Sequence, residues 1–480
     1  MALDITPKQE GGKLKAVASG TLPSGQPVVV NSDGTVSVPV SPFSSPVVFE
    51  SGGIVYPSPV YDTNSNKVVI AYRDGGNSNY GTAVVGTVSG GSITFGTPVV
   101  FESANSIYIS AVFDNNSNKV VIAYYDGGNG GYGTSIVGTV SGNSISFGTP
   151  VVFESASSVY ISSVFDSGSN KVVIAYRDGG NSNYGTAIVG TVSGTSISFG
   201  SAVVFNTAGV VDTTLSYDSN LQKVVLAYRD QNTNQGTARV GTVTGGTSIS
   251  FGSAVVFDTD VTSFTKSVYD VNAQKVVIAY RDGGNSNYGT AIVGTVSGTN
   301  ISFGSSVVFQ TSRVDEMAIG YDANLQKVVL AYQNVGNSSY GTSVVGTVSG
   351  TSISFGSSVV FNAASTTYTS VLYDPDSTKV LIAYPDGGNS SAGTSLLFTP
   401  DGASVVLTSE NYIGISTGGT YAAGSSATVD IIGTLNEDQS GLTAGQSYYV
   451  QTDGTLNTTP ADPSVFAGTA ISATSLVVKT

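Results

Sequence analysis

The sequence predicts an all-β protein in which a seven-bladed β-propeller is joined to a smaller terminal β module. Three observations predict this fold. A segment of 52 residues recurs seven times, each copy holds four short runs of β-branched and aromatic residues, and the fourth run missing from the last copy stands before the first. Repeats of roughly 40–50 residues with four strands each are typical of propeller blades.

A lysine at the start of the motif KVV or KVL sets the period. The lysines are Lys67, Lys119, Lys171, Lys223, Lys275, Lys327 and Lys379. The string KVVIAYRDGGNSNYGTA begins at the first, third and fifth of them without a single change. Such identity indicates equivalent packing sites in an array of like units.

The second copy illustrates the four strands of a blade. The expected strands are A at Ile107–Asp114, B at Lys119–Asp126, C at Gly133–Val140 and D at Ser144–Phe153. The segments NNSN, GGNGGY and SGN separate them. Clusters of Gly, Asn and Ser between β-rich runs are typical of hairpin turns.

The two ends of the array predict how the propeller closes. The last copy loses the pattern after strand C, at GTSLLFTPDG, whereas VSVPVSPFSSPVVFE before the first copy matches strand D. Phe43 stands 52 residues before Phe95, and Phe49 stands 52 residues before Phe101. We therefore expect the N-terminal strand to close the seventh blade, which leaves no long sheet edge free. The segment SVVL at 404–407 is a weaker alternative for the same place.

Three positions recur in every copy. A tyrosine ends strand B and a phenylalanine ends strand D, and both are expected to form the core between blades. An aspartate five residues before each lysine is expected to accept hydrogen bonds from the A–B turn, with a calcium loop as the alternative, although no DxDxDG cluster occurs. The positions are Tyr72, Tyr124, Tyr176, Tyr228, Tyr280, Tyr332 and Tyr384; Phe49, Phe101, Phe153, Phe205, Phe257, Phe309 and Phe361; and Asp62, Asp114, Asp166, Asp218, Asp270, Asp322 and Asp374.

The composition excludes several classes of function. Because the chain has no Cys, His or Trp, it has neither disulfides nor thiolate zinc sites nor a Ser-His-Asp triad. The net charge of −14 disfavours nucleic acid, and no apolar run is long enough to insert into a membrane. The N-terminal segment MALDITPKQEGGKLKAV lacks the apolar core of a signal peptide.

The loop between strands B and C is the candidate binding surface. In a propeller the B–C and D–A loops share one face, and here that face combines Arg, Asp, Asn and Tyr. These residues supply flat apolar area beside hydrogen-bonding groups, as a sugar requires. The alternative is that DGGN merely forms good β-turns and that Arg–Asp pairs cap a solvated rim. The candidate ligand-binding residues are Arg73, Asp74, Asn77, Tyr80, Arg177, Asp178, Tyr184, Arg281, Asp282 and Tyr288.

We expect no enzyme, no cofactor and no metal site. Polar residues mostly repeat from blade to blade, whereas a propeller enzyme needs unlike residues that converge on the axis. Without Trp, the sialidase-type Asp box SxDxGxxW cannot occur. Paired carboxylates for glycoside cleavage stay open, because a sequence does not give the separation of two carboxylates. An acidic pair unique to the axis would favour an enzyme.

The two ends of the chain share one hairpin pattern. LPSGQPVVVNSDGTVSVP begins at Leu22 and LTAGQSYYVQTDGTLNTTP begins at Leu442, each with DG as its turn. We expect both ends to leave the propeller opposite the B–C loops and to pack as one β module, a barrel or sandwich, or as two similar ones. The predicted domains are 1–35, the N-terminal β segment; 36–400, the propeller; and 401–480, the C-terminal module.

Both ends resemble terminal segments of virion structural proteins of tailed bacteriophages, particularly those of marine bacteria and cyanobacteria. The resemblance rests on QSGLTAGQSYYVQTDGTLNTTPADPSVFAGTAISATSLVVKT, on SENYIGIS before it and on LPSGQPVVVNSDGTV near the N-terminus. The 52-residue repeats resemble propeller-like repeats of the same group. The resemblance implies a tail fibre, tail or head-decoration protein, made in the host cytoplasm and located in the virion, with no catalytic residues.

The first functional hypothesis is therefore a non-enzymatic phage virion protein. Its terminal module is expected to attach to other virion proteins, and its propeller face to a glycan or protein of the host surface. The alternatives are a purely structural head-decoration or spacer protein, a lectin-like adhesin, and a polysaccharide-cleaving propeller enzyme. Homo-oligomerisation stays open, since no heptads or collagen-like repeats occur.

Overall fold

The structure, a computed structural model, describes residues 12–31, 33–400, 407–461 and 463–479. It divides into a terminal lobe, Met1–Phe43 with Thr399–Thr480, and a repeat lobe, Ser44–Phe398. Within the described residues both lobes consist of β-strands and turns, with two short 3-10 turns in the repeat lobe. The prediction of an all-β protein is confirmed. The same residues include no helix that is long and apolar enough to cross a membrane.

Each copy of the repeat forms a four-stranded antiparallel unit, as predicted. Strands B and C form its centre, and strand B of the second copy has the predicted bounds. The B strands are Lys67–Asp74, Lys119–Asp126, Lys171–Asp178, Lys223–Asp230, Lys275–Asp282, Lys327–Asn334 and Lys379–Asp386. The C strands are Tyr80–Ser89, Tyr132–Ser141, Tyr184–Ser193, Gly236–Thr244, Tyr288–Ser297, Tyr340–Ser349 and Ala392–Phe398.

Strands D and A differ from the prediction. Strand D starts as a short strand, breaks, and resumes as a strand that runs on into strand A of the next copy. The short strands are Ser92–Phe95, Ser144–Phe147, Ser196–Phe199, Ser248–Phe251, Asn300–Phe303 and Ser352–Phe355. The long strands are Val47–Asp62, Val99–Asp114, Val151–Asp166, Val203–Asp218 and Val307–Asp322, with two interrupted ones at Val255–Asp258 plus Thr262–Asp270 and Val359–Ser365 plus Ser370–Asp374.

The single strand predicted at Ser144–Phe153 is therefore wrong. The chain leaves the sheet at residues 148–150, where Pro150 has no N–H to donate and Gly148 packs against the backbone of Thr195. The two halves of strand D pair with the two ends of strand C: Phe147 lies opposite Gly138, and Val151 lies opposite Ser135.

The strand before the first copy pairs with strand C of the last copy. Val47 lies opposite Ser395 and Val48 opposite Thr394, in the register that strands D and C adopt in the other copies. This is the place expected for the N-terminal strand. Residues 404–406 of the alternative segment SVVL lie outside the described residues.

The recurring aromatic residues form the core, as predicted. Tyr124 is fully buried, its ring centroid lies 5.2 Å from that of Phe101, and its hydroxyl donates to Oε2 of Glu102 at 3.1 Å. One hydrophobic cluster joins Val69 of the first copy to Ile122 of the second, so the core lies between successive units. A glycine at the start of strand C, the first residue in the fourth copy and the second in the others, is required by this packing, because a Cβ would overlap a phenylalanine ring in every copy.

The recurring aspartates close the A–B turns, as predicted. Oδ1 of Asp114 accepts the N–H of Asn116 at 2.8 Å and the N–H of Ser117 at 3.0 Å. The same two bonds recur in the other copies, at Asp62, Asp166, Asp218, Asp270, Asp322 and Asp374. These carboxylates therefore fix the turns that precede strand B.

The terminal lobe contains two five-stranded sheets with the same arrangement. The first sheet has the order Lys13–Val17, Ser426–Asp430, Tyr412–Thr417, Pro27–Val30 and Val36–Ser37, and the second has the order Leu435–Asn436, Leu476–Val478, Val465–Ala470, Ser447–Val450 and Leu456–Asn457. Each ends in the hairpin that the sequence pattern repeats: Val30 lies opposite Val36, and Val450 opposite Leu456. Strands from both chain ends share the first sheet.

Candidate functional site

A β-bulge interrupts strand A at the same place in the first six copies, and in the seventh copy the strand is broken at that place, between Ser365 and Ser370. In the first copy Val55 lies opposite Arg73 and Ser58 opposite Ala71, so two residues of strand A face one residue of strand B. The first residue of each bulge has a positive φ, between 44° and 57°, and none is glycine. These bulge residues are Tyr56, Tyr108, Tyr160, Asp212, Phe264, Glu316 and Tyr368.

The positive φ indicates that the side chain at this position matters. A residue with a Cβ in the left-handed region costs roughly 1–2 kcal/mol, whereas glycine adopts that region freely. Bulges of this kind re-aim a side chain and recur beside functional sites. Because none of the seven positions holds glycine, we infer that the contacts of these side chains offset the cost of the backbone conformation.

The bulge residues surround a cavity of about 630 Å³. Strand A of each of the seven copies contributes to its wall, and Arg229 and Arg281 reach it from strand B. This volume falls within the range of roughly 300–1,000 Å³ that small-molecule sites occupy. The seven side chains are all half-buried, so they line the cavity without filling it.

One side of the cavity is a continuous wall of four tyrosines, which we call the tyrosine wall: Tyr368, Tyr56, Tyr108 and Tyr160. Successive ring centroids lie 4.8, 5.4 and 5.1 Å apart. Burial raises the pKa of Tyr108 to about 12. The Tyr108 hydroxyl is therefore protonated at neutral pH and able to donate a hydrogen bond.

The other side carries two carboxylates that belong to single copies. Oδ2 of Asp212 accepts the backbone N–H of Phe264 at 2.7 Å. Burial raises the pKa of Glu316, as do the negative charges of Asp315 and Asp212, while Lys266 and a hydrogen bond from the Tyr368 backbone oppose the rise. The expectation that polar residues mostly repeat is therefore wrong at this position: the column that holds tyrosine in four copies holds acids in two.

The structure places the predicted arginines against the bulge residues. The guanidinium carbon of Arg73 lies 5.9 Å from the ring centroid of Tyr56. The guanidinium carbon of Arg177 lies 4.9 Å from the ring centroid of Tyr160, and that of Arg281 lies 4.7 Å from the ring centroid of Phe264. Cation–π contacts at such distances contribute roughly 0.5–2 kcal/mol. Three of the ten predicted residues therefore contact bulge residues, and one of the three, Arg281, also lines the cavity.

The predicted aspartates serve their own turns. Asp74 is buried, and its Oδ1 accepts the N–H of Asn77 at 3.1 Å; Oδ1 of Asp178 accepts the N–H of Gly180 at 2.9 Å. Burial raises the pKa of Asp74, and so does the charge of Glu50. Asp282 accepts the N–H of Asn285 at 3.0 Å in the same way.

The remaining predicted residues stay at the surface of the B–C loop. Asn77 is exposed, whereas Tyr80, Tyr184 and Tyr288 are half-buried at the first position of strand C. The loop glycines have a packing reason that the sequence did not disclose: a Cβ on Gly75 would lie 2.6 Å from the carbonyl oxygen of Gly53. Much of the sequence identity of the B–C loop between copies therefore follows from its packing against the long strand that contains Gly53 in the first copy.

Sequence reasoning missed the bulge residues entirely. The available signal was the column itself, which holds Tyr, Tyr, Tyr, Asp, Phe, Glu and Tyr at intervals of 52 residues. The change from aromatic to acidic distinguishes it from columns that stay constant for packing. The positive φ of these residues could not be predicted from the sequence, because glycine is the usual sign of such a conformation and no glycine occurs at this position.

One acidic cluster could hold a cation. Asp258, Asp260 and Asp282 bring carboxylate oxygens within 4.8 Å of one another. Two of these carboxylates already accept hydrogen bonds within the protein: Asp258 accepts from the Thr262 hydroxyl at 2.8 Å, and Asp282 accepts from the backbone N–H of Asn285 in its own turn. This cluster includes one of the predicted ligand-binding residues.

Comparison with known proteins gives a likeness of fold. No protein-family model matches the chain, and no curated protein matches it. The structure is similar to the crystal structure of the BP39L lectin from Burkholderia pseudomallei, with a TM-score of 0.56 and 8% sequence identity over 73% of this chain and 97% of that one. A protein of unknown function from Dyadobacter fermentans DSM 18053 aligns with a TM-score of 0.44 and 11% identity over 79% of this chain and 99% of that one. At such identities the likeness to the lectin concerns the fold alone.

Proposed function

We propose that the seven units form a seven-bladed β-propeller, closed by Val47–Asp62, and that it is a non-enzymatic carbohydrate-binding protein used for adhesion to a cell surface. Support for closure comes from the pairing of this strand with Ala392–Phe398 and from the 4.8 Å approach of the Tyr56 and Tyr368 rings. The likeness to a lectin fold is consistent with the binding function.

One observation carries the proposal. In the first, third and fifth copies, the arginine one residue before the end of strand B contacts the ring of the bulge residue. The exposed B–C loop and the half-buried tyrosine that starts strand C follow directly in the chain. Each of these copies thus offers cationic donors and aromatic area at the same end of strand B. Carbohydrates are recognised by such combinations of flat apolar surface and hydrogen-bonding forks. Three equivalent sites would let weak single contacts add up through avidity.

We place this adhesin in a phage virion, where the terminal lobe attaches it to other virion proteins. The support for that setting is the resemblance of the terminal segments, which include the two hairpins of the terminal lobe. The adhesion function stands without it, since it rests on the repeat lobe.

The test compares three proteins on intact bacterial cells. The loop variant changes Arg73, Arg177, Arg281, Tyr80, Tyr184 and Tyr288 to Ala. The control variant changes Lys67, Lys171 and Lys275 to Ala, which removes the same positive charges from the opposite end of the same strands. We expect wild type and control to bind and the loop variant, shown to be folded by circular dichroism, to bind at least about tenfold less. Equal binding by all three, or by none, would refute adhesion through this face.

A second candidate function, cleavage of a polysaccharide, is favoured by one observation: Asp212 and Glu316 are carboxylates specific to two copies and both line the cavity. Glycoside hydrolases use two carboxyl groups, one with a raised pKa as the acid. Here each carboxylate also accepts a backbone N–H of the next copy, which gives both a structural role. Release of reducing ends by wild type but not by Glu316→Gln would replace the binding proposal with an enzymatic one.

A further inference from the structure

The cavity is chemically two-sided, and the surface adhesion proposed above uses only the arginines that contact its bulge residues, not the space that these residues enclose. The tyrosine wall supplies aromatic faces and hydroxyls, and the facing side supplies Asp212, Glu316 and Lys266. Serine and threonine residues also line the cavity, among them Ser58 and Thr214. Aromatic area on one side and convergent polar groups on the other are typical of a small-molecule site.

The charges around the cavity select the class of ligand. The lining contains the carboxylates of Asp212 and Glu316 and the cations Arg229, Lys266 and Arg281. Arg281 forms an ion pair with Asp315, so two carboxylates and two cations remain. Because the two signs balance, neither a cation nor an anion gains net attraction. A neutral ligand that both donates and accepts hydrogen bonds fits best.

The backbone conformation indicates that the walls are held in place. Each bulge residue keeps a side chain at a φ that glycine would adopt without cost. The bulges are tied to their neighbours: the Thr369 hydroxyl donates to the carbonyl oxygen of Glu316 at 2.5 Å, and Asp212 accepts from the backbone of Phe264. A rigid, preformed wall lowers the ordering cost of binding.

We propose that this cavity binds one neutral saccharide unit per chain, with the sugar ring stacked on the tyrosine wall and its hydroxyls bonded to Asp212, Glu316 and Lys266. This site differs from the loop sites in number: it is one per chain, whereas the loop sites repeat. The inference stands on the cavity alone and does not require adhesion by the loops.

The experiment is isothermal titration of the full chain with D-glucose, D-galactose, N-acetyl-D-glucosamine and their neutral disaccharides, alongside charged D-glucosamine and D-glucuronate. We expect at least one neutral sugar to bind with one site per chain and more tightly than its charged analogues. Tyr108→Gly removes the centre of the wall while its backbone keeps a φ that glycine prefers, and Tyr56→Gly is a second, independent variant. Each is expected to weaken binding about tenfold or more.

The control is Tyr132→Ala, which removes a half-buried tyrosine from the loop end of strand C in the same copy and should leave the titration unchanged. Absence of binding by every neutral sugar, or equal losses in the control and the wall variants, would each overturn the proposal. Failure of the loop variant to lose cell adhesion refutes only the loop sites, so the two proposals fail separately.

Discussion

The guanidinium carbon of Arg177 lies 4.9 Å from the ring centroid of Tyr160. The two residues belong to neighbouring strands of one unit, and the bulge in strand A turns Tyr160 towards the arginine. This contact joins the loop-bearing end of strand B to the rim of the cavity. The sequence predicted the arginine as part of a loop face, and the structure adds the aromatic partner that gives it a fixed position.

Gly148 and Gly356 occupy the same position in two copies but have different neighbours. A Cβ on Gly148 would overlap the carbonyl oxygen of Thr195 in the next copy, whereas a Cβ on Gly356 would meet only the Val345 carbonyl oxygen at 3.9 Å. We expect Gly148→Ala to lower the free energy of unfolding by about 1–3 kcal/mol and Gly356→Ala to change it by less than about 0.5 kcal/mol. Urea denaturation measures both, and equal effects would contradict the described packing between successive units.

Asp114 tests whether the recurring aspartates act through turn hydrogen bonds. Its buried Oδ1 accepts two backbone N–H groups. Asp114→Ala leaves both donors without this partner and should destabilise the protein by about 1–3 kcal/mol. Asp114→Asn keeps an acceptor oxygen and should lose less than half as much. If the asparagine variant is as unstable as the alanine variant, the charge and not the acceptor geometry is what the turn requires.

Glu316 predicts a pH dependence of stability. Burial, together with Asp315 and Asp212, raises its pKa above the ordinary value of 4.5, against the opposing effects of Lys266 and the Tyr368 backbone. Folding therefore favours the protonated form: the stabilising contribution is complete below pH 4.5 and is lost as the pH rises through the raised pKa. At pH 7, above the ordinary pKa, this contribution is reduced or lost in wild type, so Glu316→Gln, which has no carboxyl group to ionise, should unfold at a higher urea concentration.

The same comparison below pH 4.5 should show no difference, because both side chains are then neutral. Glu437→Gln removes the same formal charge from an exposed site and serves as the control. A Glu316→Gln variant that is less stable than wild type at pH 7 would show that the ionised carboxylate holds the bulge in place more than burial opposes it.

The repeat period, the four strands per copy and the turn and core residues were predictable because they recur. The positions equivalent to Tyr124 and Asp114 hold the same residue in all seven copies. Comparing the copies therefore distinguishes constant positions, which have a structural role, from variable ones. The continuity of strand D with the next strand A was not predictable. An alternating pattern runs through both, and only pairing shows where the chain passes from one unit to the next.

The candidate site was predicted less completely. Arg73, Arg177 and Arg281 were identified as functional candidates from an identical string, and the structure gives them aromatic partners. The loop glycines and aspartates in that string turned out to have packing and turn roles. Tyr108 and Glu316 were missed, because a bulge with a positive φ at a non-glycine residue depends on strand pairing that no local sequence pattern encodes.

The most direct test of the central claim, carbohydrate binding at the loop end of strand B, is surface plasmon resonance on an immobilised neutral polysaccharide. It compares Arg73→Ala/Arg177→Ala/Arg281→Ala with Lys67→Ala/Lys171→Ala/Lys275→Ala, two triple variants with the same loss of charge on the same strands. Binding by wild type and the lysine variant, with a loss of about tenfold or more in the arginine variant, is the predicted result. Equal binding by the two variants would contradict it.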